Sequence, residues 1–151
     1  MSESTPQQPV FELEKLYVKD LSLEIPHAPA VFLERESPQM DFELASQSQQ
    51  IGEERFEVTI TVTVSAKLKD KTLFLIEAKE AGIFRILNIP HEQMEQVLGI
   101  VCPNMLYPYL RETVSDTSVR AGFPPVLLSA LNFEALYHQK KQQERVPETT
   151  H

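Results

Sequence analysis

Residues 55–69 read RFEVTITVTVSAKLK, and this stretch decides the fold. Apolar side chains at the even positions, from Phe56 to Leu68, alternate with polar side chains at the odd positions, from Glu57 to Lys69. Successive side chains of a β-strand point to opposite faces of the sheet. The alternation therefore predicts a long strand with one buried face and one polar face.

Further strands are predicted on both sides of this stretch. Residues 69–71 predict a turn, and residues 73–79 return as a partner strand. Upstream, residues 10–25 and residues 40–44 also alternate, and the polar residues 46–50 predict a loop.

In the first predicted strand, the apolar and the acidic side chains separate into odd and even sequence positions. Phe11, Leu13 and Tyr17 share odd positions, whereas Asp20 and Glu24 occupy even positions. An uninterrupted strand would place these two sets on opposite faces of the sheet. We therefore expect Tyr17 beside Phe11 and Leu13, and the two carboxylates on the other face.

Helices are predicted after Gly82. Pro90 and Pro103 suit helix starts, where the missing N–H would have no partner within the helix. Gly122, followed by Pro124-Pro125, predicts a helix end, and Asn132 can cap a last helix. Strands followed by helices predict an α+β fold, a four-stranded antiparallel sheet with helices packed on one face.

The chain length of 151 residues suits a single domain. Residues 1–9 are polar and contain two prolines, so they predict a flexible lead-in. Residues 10–145 are assigned to the domain, and residues 146–151 to a disordered tail. No repeat is visible.

Composition excludes several classes of function. The net charge of −8 would repel nucleic acid, and the basic cluster of Lys140, Lys141 and Arg145 is too short to offset it. No apolar stretch approaches the roughly 18 residues of a membrane helix. A single cysteine, Cys102, and the absence of a signal-like N-terminus indicate the cytoplasm.

The sequence offers little to catalysis. Its four glycines are far apart in the sequence, so none of the glycine-rich nucleotide-binding motifs is present. No histidine lies at metal-ligand spacing from another histidine or from Cys102. We therefore expect no cofactor and no metal. Cys102 before Pro103 could act as a nucleophile at a helix start, and His91 with Glu92 could act in acid–base chemistry. The favoured interpretation is that the Cys102 thiol is a small packed group at a helix junction. For His91, the favoured interpretation is an ordinary side chain in the first turn of a helix.

A series of motifs runs along most of the chain. They read YVKDLS (17–22), IPHAP (25–29), AGIF (81–84), CPNMLYPYLRE (102–112), GFPP (122–125) and NFEALY (132–137). In order and spacing they resemble the SecB family of protein-export chaperones from Phe11 to Tyr137. The departures are Ser129-Ala130-Leu131, where the family commonly has a proline, and residues 117–120, which are less typical.

The resemblance implies an ATP-independent chaperone that holds unfolded precursors and delivers them to the motor SecA. It also implies a homotetramer, a dimer of dimers with sheets extended across one interface and long helices packed across another. Two alternatives stay open: a holdase scaffold serving partners outside export, and a small enzyme using Cys102 or His91.

With this function in mind, two sets of site residues follow. An exposed apolar groove would hold clients, and its candidates are Phe32, Met40, Phe42 and Leu44. The resemblance points to an acidic docking patch for SecA on the sheet, matched here by Asp20, Glu24, Leu75 and Glu77. The alternative for the client candidates is that they are plain core residues, and the alternative for the docking candidates is an ordinary solvated strand face.

A third set concerns assembly. Apolar side chains of the fourth strand and of the long helix are candidates for subunit contacts: Ile76, Ala78, Leu106, Leu110 and Val114, with Thr117 at the end of the helical stripe. The helical stripe could pack across the tetramer or into the protomer itself, and the sequence leaves both open.

Overall fold

The computed structural model describes residues 7–145. Its antiparallel sheet has the order β1-β4-β3-β2, with the bounds β1 (Val10–Glu24), β2 (Gln39–Gln50), β3 (Arg55–Leu68) and β4 (Lys71–Leu87). The four strands confirm the predicted architecture. The predicted tail, 146–151, and residues 1–6 of the predicted lead-in lie outside the described residues, and residues 7–9 have no regular structure.

All helical elements except one short turn follow the four strands in the sequence. They are a 3₁₀ turn (Ala30–Leu33) between β1 and β2, then α1 (His91–Gln96), a π-helical turn (Val97–Val101), α2 (Cys102–Arg120) and α3 (Phe133–Arg145). Pro90 precedes α1 and Pro103 lies in the first turn of α2, as predicted. Asn132 Oδ1 accepts the Ala135 N–H at 3.0 Å and caps α3.

The core lies between the sheet and α2. Even-numbered residues of β3, and of β4 from Phe74 onward, form what we call the helix face together with their register partners on β1 and β2. The odd-numbered residues of these stretches, with their partners, form the outer face. A Cβ atom on Gly82 of β4 would lie 2.9 Å from Leu106 of α2 and 2.8 Å from Leu13 of β1. This glycine therefore allows α2 to approach the sheet closely.

Two strands are longer than predicted. The predicted loop 46–50 is the second half of β2 and pairs in register with β3, from Ser46–Ile60 to Gln50–Phe56. β4 continues through Gly82 to Leu87, eight residues beyond the predicted end at Lys79. Serine and glutamine are tolerated in β2 because it is an edge strand with solvent beside it.

Two irregularities in β1 change the predicted parity. The register shifts between Leu13 and Lys15, and again between Val18 and Asp20. A bulge inserts one residue and so moves the following side chains to the other face. Tyr17 consequently pairs with Ala81 on the outer face, opposite to Phe11 and Leu13, and the prediction of a shared face was wrong.

The residues predicted for subunit contacts belong to the protomer's own core. Their side chains have no exposed surface in the single chain: Ile76, Ala78, Leu106, Leu110 and Val114 are all 0% exposed. Thr117 is also buried. Because α2 already covers the helix face, these residues offer nothing to a second subunit, and their assignment to an interface is corrected.

Candidate functional site

An apolar groove opens beside β2 at one end of the sheet. Its cavity has a volume of about 550 Å³. Its apolar lining comes from the 3₁₀ turn, from β2, from the start of β4 and from the segment after α2: Val31, Met40, Phe42, Leu73, Phe74, Phe123, Val126 and Leu127. Glu34, Glu36 and Ser37 contribute polar groups, and no lysine or arginine lines it.

The end of α2 positions one wall of this groove. Gly122 has φ = +90°, a left-handed conformation that suits glycine. Its N–H donates to the Val119 carbonyl at 3.0 Å, and the Phe123 N–H donates to the Ser118 carbonyl at 3.1 Å. This pair of bonds is the Schellman motif, which ends the helix and turns Phe123 toward the sheet.

Side chains of α2 then hold the segment that follows. The Ser118 hydroxyl accepts the Val126 N–H at 2.8 Å and donates to the Ser115 carbonyl at 2.8 Å. The Tyr107 hydroxyl donates to the carbonyl of Ser129. The wall is therefore attached to α2 at two points, and its position depends on how α2 sits on the sheet.

Three phenylalanines join the wall to the sheet and to the 3₁₀ turn. The ring centroids of Phe74 and Phe123 are 4.6 Å apart, and those of Phe32 and Phe123 are 5.3 Å apart. Phe32 also lies against Gly122, where a Cβ atom would be 3.0 Å from its ring. Phe32 remains 46% exposed, so it presents an aromatic surface next to the groove.

The structure brings together part of the predicted client set. Met40 and Phe42 line the groove, and Phe42 is 50% exposed. Phe32 lies beside the groove without lining it, and Leu44 is a partly buried side chain packed against the core farther along β2. Sequence reasoning missed the wall at 123–127, although its GFPP motif was recognised as a helix stop.

The predicted docking residues all lie on the outer face. In the β1–β4 register Glu24 is opposite Leu75, and Glu77 is opposite Ser22. Asp20 is opposite Lys79, one step farther along the strands. Four residues from two distant parts of the sequence thus form one surface.

The same surface continues across β3 to β2. Glu77 is opposite Thr63, which is opposite Glu43. Leu75 is opposite Ser65, which is opposite Asp41. We define the acidic surface as Asp20, Glu24, Asp41, Glu43, Leu75 and Glu77. Sequence reasoning missed Asp41 and Glu43 because strand order cannot be read from alternation alone.

At the opposite end of the outer face the charges are paired. Glu57 accepts hydrogen bonds from Lys19 Nζ at 2.7 Å and from the Tyr17 hydroxyl. Both bonds lower the pKa of the Glu57 carboxyl, and the bond from Lys19 has the larger effect. Burial, with the Glu57 carboxylate beside it, raises the pKa of Tyr17 to about 12. Arg55 and Glu14 form a further pair at 2.7 Å.

The acidic surface differs, because its carboxylates form no ion pair within residues 7–145. The carboxylates of this end of the outer face thus outnumber the cations, of which Lys79 lies opposite Asp20 in the register. Such a distribution suits a partner with basic groups.

Of the two residues considered for catalysis, Cys102 is unsuited to it. Cys102 is 0% exposed, and burial raises the pKa of its thiol to about 12. At neutral pH the thiol is protonated, whereas the thiolate is the nucleophile. His91 is an exposed side chain in the first turn of α1.

Comparison with known proteins gives one consistent result. The family model described as "Preprotein translocase subunit SecB" matches residues 4–144. The chain belongs to the SecB family. It is 60% identical to the protein-export protein SecB of Nitrosomonas europaea, over 98% of this chain and 92% of that protein. It is 58% identical to the protein of the same name from Chromobacterium violaceum, over 95% of this chain and 96% of that protein.

A solved structure confirms the fold. The Mycobacterium tuberculosis SecB-like chaperone Rv1957, solved with a ChAD peptide from the antitoxin HigA1, superimposes with a TM-score of 0.66 at 19% identity. The match covers 80% of this chain and 90% of that one. As a member of the SecB family the protein is a protein-export chaperone and not an enzyme. Within residues 7–145 no helix is both long and apolar enough to span a membrane.

Proposed function

We propose that the groove holds unfolded precursor polypeptides and that the acidic surface docks the chaperone on the motor SecA. The observation that carries the proposal is the separation of the two sites. The groove opens beside the helix face, whereas the acidic surface lies on the outer face of the same sheet. A chaperone with this arrangement can keep its client while it meets the motor, because the two partners approach opposite faces of the sheet.

The groove suits an extended apolar segment. Burial of apolar area contributes ~25 cal/mol per Å², so several side chains of one client together give useful affinity. β2 supports such binding, because in the described sheet it pairs only with β3 and its other edge is open. An extended client can add to an open edge by backbone hydrogen bonds, which do not depend on its sequence.

Charge around the groove favours basic clients. Glu34 and Glu36 contribute carboxylates to the lining, and the cavity has no cationic side chain. Opposite charges attract across an interface, and like charges oppose association. A peptide with lysine beside its apolar residues should therefore bind more tightly than the same peptide with glutamate at those positions.

The variant Phe42→Asp tests the groove. A carboxylate placed in the apolar lining would lose its hydration when a client binds. We expect weaker suppression of aggregation of a chemically denatured test protein, measured by light scattering, and no effect of added ATP. Ile51→Asp is the matched control, since Ile51 is 49% exposed, similar to Phe42, and lies at the β2–β3 connection away from the groove. Equal activity of the two variants would refute the placement.

The variant Glu77→Lys tests the acidic surface. It reverses one charge at the centre of the surface, so we expect weaker binding of purified SecA in a titration with unchanged client holding. Glu53→Lys gives the same change of net charge in the exposed turn between β2 and β3. If both variants bind SecA with equal affinity, the docking proposal fails while the groove proposal stands.

Assembly as a dimer of dimers, in the cytoplasm, completes the proposal. With the predicted interface residues buried, the surface available on α2 is its other side, where Met105, Tyr109 and Val119 are 37%, 48% and 53% exposed. We assign this side to the contact between dimers, and the open edge of β1 to the extension of the sheet. Sedimentation velocity of the wild type and of Tyr109→Asp measures the oligomeric state. We expect the wild type to be a tetramer and the variant to dissociate; a variant that stays tetrameric would contradict the assignment.

A further inference from the structure

One buried carboxyl group plays no part in the groove or in the acidic surface. Glu80 of β4 is only 3% exposed and lies on the helix face, two residues before Gly82. Its Oε1 lies 3.1 Å from the hydroxyl of Thr113 on α2. Within residues 7–145 Glu80 makes no ion pair, so its charge, when present, is uncompensated.

The surroundings of Glu80 are apolar on both neighbouring strands. Its register partners are Val18 on β1 and Ile60 on β3, and Ile60 is fully buried. On α2, the titratable and charged groups one turn from Thr113 are Tyr109 and Asp116; Tyr109 is half exposed, and Asp116 is exposed and lies 3.5 Å from Arg120.

The charges of β1 and β3 near this position face the other way. Lys19, after Val18 in β1, binds Glu57 of β3 on the outer face. On its own strand the adjacent Lys79 is also on the outer face, opposite Asp20. No cation from any packed element therefore reaches the Glu80 carboxyl in the described structure.

Proton counting at Thr113 shows how both charge states of Glu80 fit. The Thr113 hydroxyl is 3.1 Å from Glu80 and also 3.1 Å from the carbonyl of Tyr109, but it carries a single proton. When Glu80 is neutral, it can donate to the threonine oxygen while the threonine donates to Tyr109. When Glu80 is ionised, the threonine must turn its proton toward it, and a charge remains in an apolar layer.

We propose that Glu80 is a pH-dependent latch between β4 and α2, closed when its carboxyl is neutral and loosened when the carboxyl ionises. Thr113 lies in the half of α2 that leads to Ser118 and Gly122, which hold the groove wall. Loosening this half of α2 therefore gives the wall more freedom. The latch rests on the fold alone and does not depend on which client or motor the protein binds.

The direction of the pH effect follows from burial. Desolvation raises the pKa of Glu80 above its ordinary value of 4.5, against the smaller opposing effect of the Thr113 hydrogen bond. The stability contributed by the neutral form is complete below pH 4.5 and is lost as pH rises through the higher folded-state value. Glu57 acts in the opposite sense, because its lowered pKa makes the protein lose stability as pH falls.

The variant Glu80→Gln isolates the latch, because glutamine keeps the shape and donates to Thr113 at every pH. We expect its melting temperature near neutral pH to exceed that of the wild type by about 2–4 °C. We also expect amide hydrogen exchange in residues 113–121, corrected for intrinsic rates, to rise with pH in the wild type and to stay level in the variant. Glu53→Gln, the same change in an exposed turn, should behave as the wild type does.

Two results would overturn the proposal. The first is a Glu80→Gln variant whose difference in melting temperature from the wild type is the same at pH 4.5 and at neutral pH. The second does not require any variant to fold: carbon-13 NMR of the Glu80 carboxyl in the wild-type protein should give a titration midpoint above 4.5, and a midpoint at or below that value refutes the latch.

Discussion

The two faces of the sheet use the same strands for different purposes. On the helix face of β3, Val58, Ile60 and Val64 are 0% exposed beneath α2. On the outer face of the same strand, Thr61, Thr63 and Ser65 stay partly exposed. Because neighbouring positions of a strand face opposite ways, one step along the chain separates a residue that stabilises the fold from one that is available to a partner.

This comparison is tested most strongly at α2, where Leu106→Ala should cause the largest loss of stability. Leu106 is fully buried over Gly82, so truncation leaves a cavity and should cost about 2–5 kcal/mol of unfolding free energy. Urea denaturation followed by circular dichroism measures it. Met105→Ala, at the next position but 37% exposed, is the control and should lose far less. Equal losses would mean that α2 is not seated on the helix face as described.

Gly82→Ala should have the next largest effect, because it adds a methyl group at the same contact. The new Cβ atom would lie 2.8 Å from Leu13 and 2.9 Å from Leu106, both inside the packed core. Overpacking of this kind costs about 1–3 kcal/mol. Gly52→Ala is the matched control: its Cβ would meet only Arg55, at an ordinary 3.7 Å. A tolerated Gly82→Ala would show that α2 can move away from the sheet at little cost.

How well the sequence predicts which face a residue lies on depends on whether the pattern that determines it is local in the sequence. The alternation in residues 55–69 correctly predicted β3, because one face of that strand packs against the core and the other face is more exposed. In β4 the register with β3 shifts at Leu73, and Leu73 and Phe74 are both buried, so alternation is lost at the start of that strand. The end of β4 was also placed too early, at Lys79 instead of Leu87. The bulges in β1 leave no such local pattern, and they moved Tyr17 to the other face.

The candidate site depended more on pairing between distant segments. The resemblance to the SecB family pointed to Asp20 and Glu77, which lie on two separate strands, but the addition of Asp41 and Glu43 required the strand order β1-β4-β3-β2. Likewise, the groove wall at Phe123 follows from the Schellman turn and from the contact with Phe74, which no periodicity encodes.

A smaller effect is expected on the outer face from Tyr17→Phe. The variant removes the hydroxyl that donates to the Glu57 carboxylate. A hydrogen bond to a charged group contributes about 1.5–3 kcal/mol, and we expect the lower end of that range because Tyr17 is only partly buried. The pH dependence gives a second test, measured by alkaline denaturation. Since the pKa of Tyr17 is raised from 10 to about 12, its contribution is complete below pH 10 and is lost as pH rises through about 12. The variant should lack this alkaline step, and a variant that keeps it would assign the step to another group.

The smallest change in stability, and the sharpest test of the division between faces, is expected from Glu43→Lys. Glu43 is exposed on the edge strand, opposite Thr63, and forms no ion pair in residues 7–145, so reversing its charge should change the unfolding free energy by no more than about 0.5 kcal/mol. If the acidic surface docks SecA as we propose, the same change should weaken that binding, and the loss should shrink as salt is added, because salt screens exposed charges. Leu44→Ala, at the next position on the helix face, should show the reverse: measurable loss of stability with normal SecA affinity. Should Glu43→Lys bind SecA normally at low salt, the docking surface would be limited to β1 and β4, and β2 would serve the groove alone.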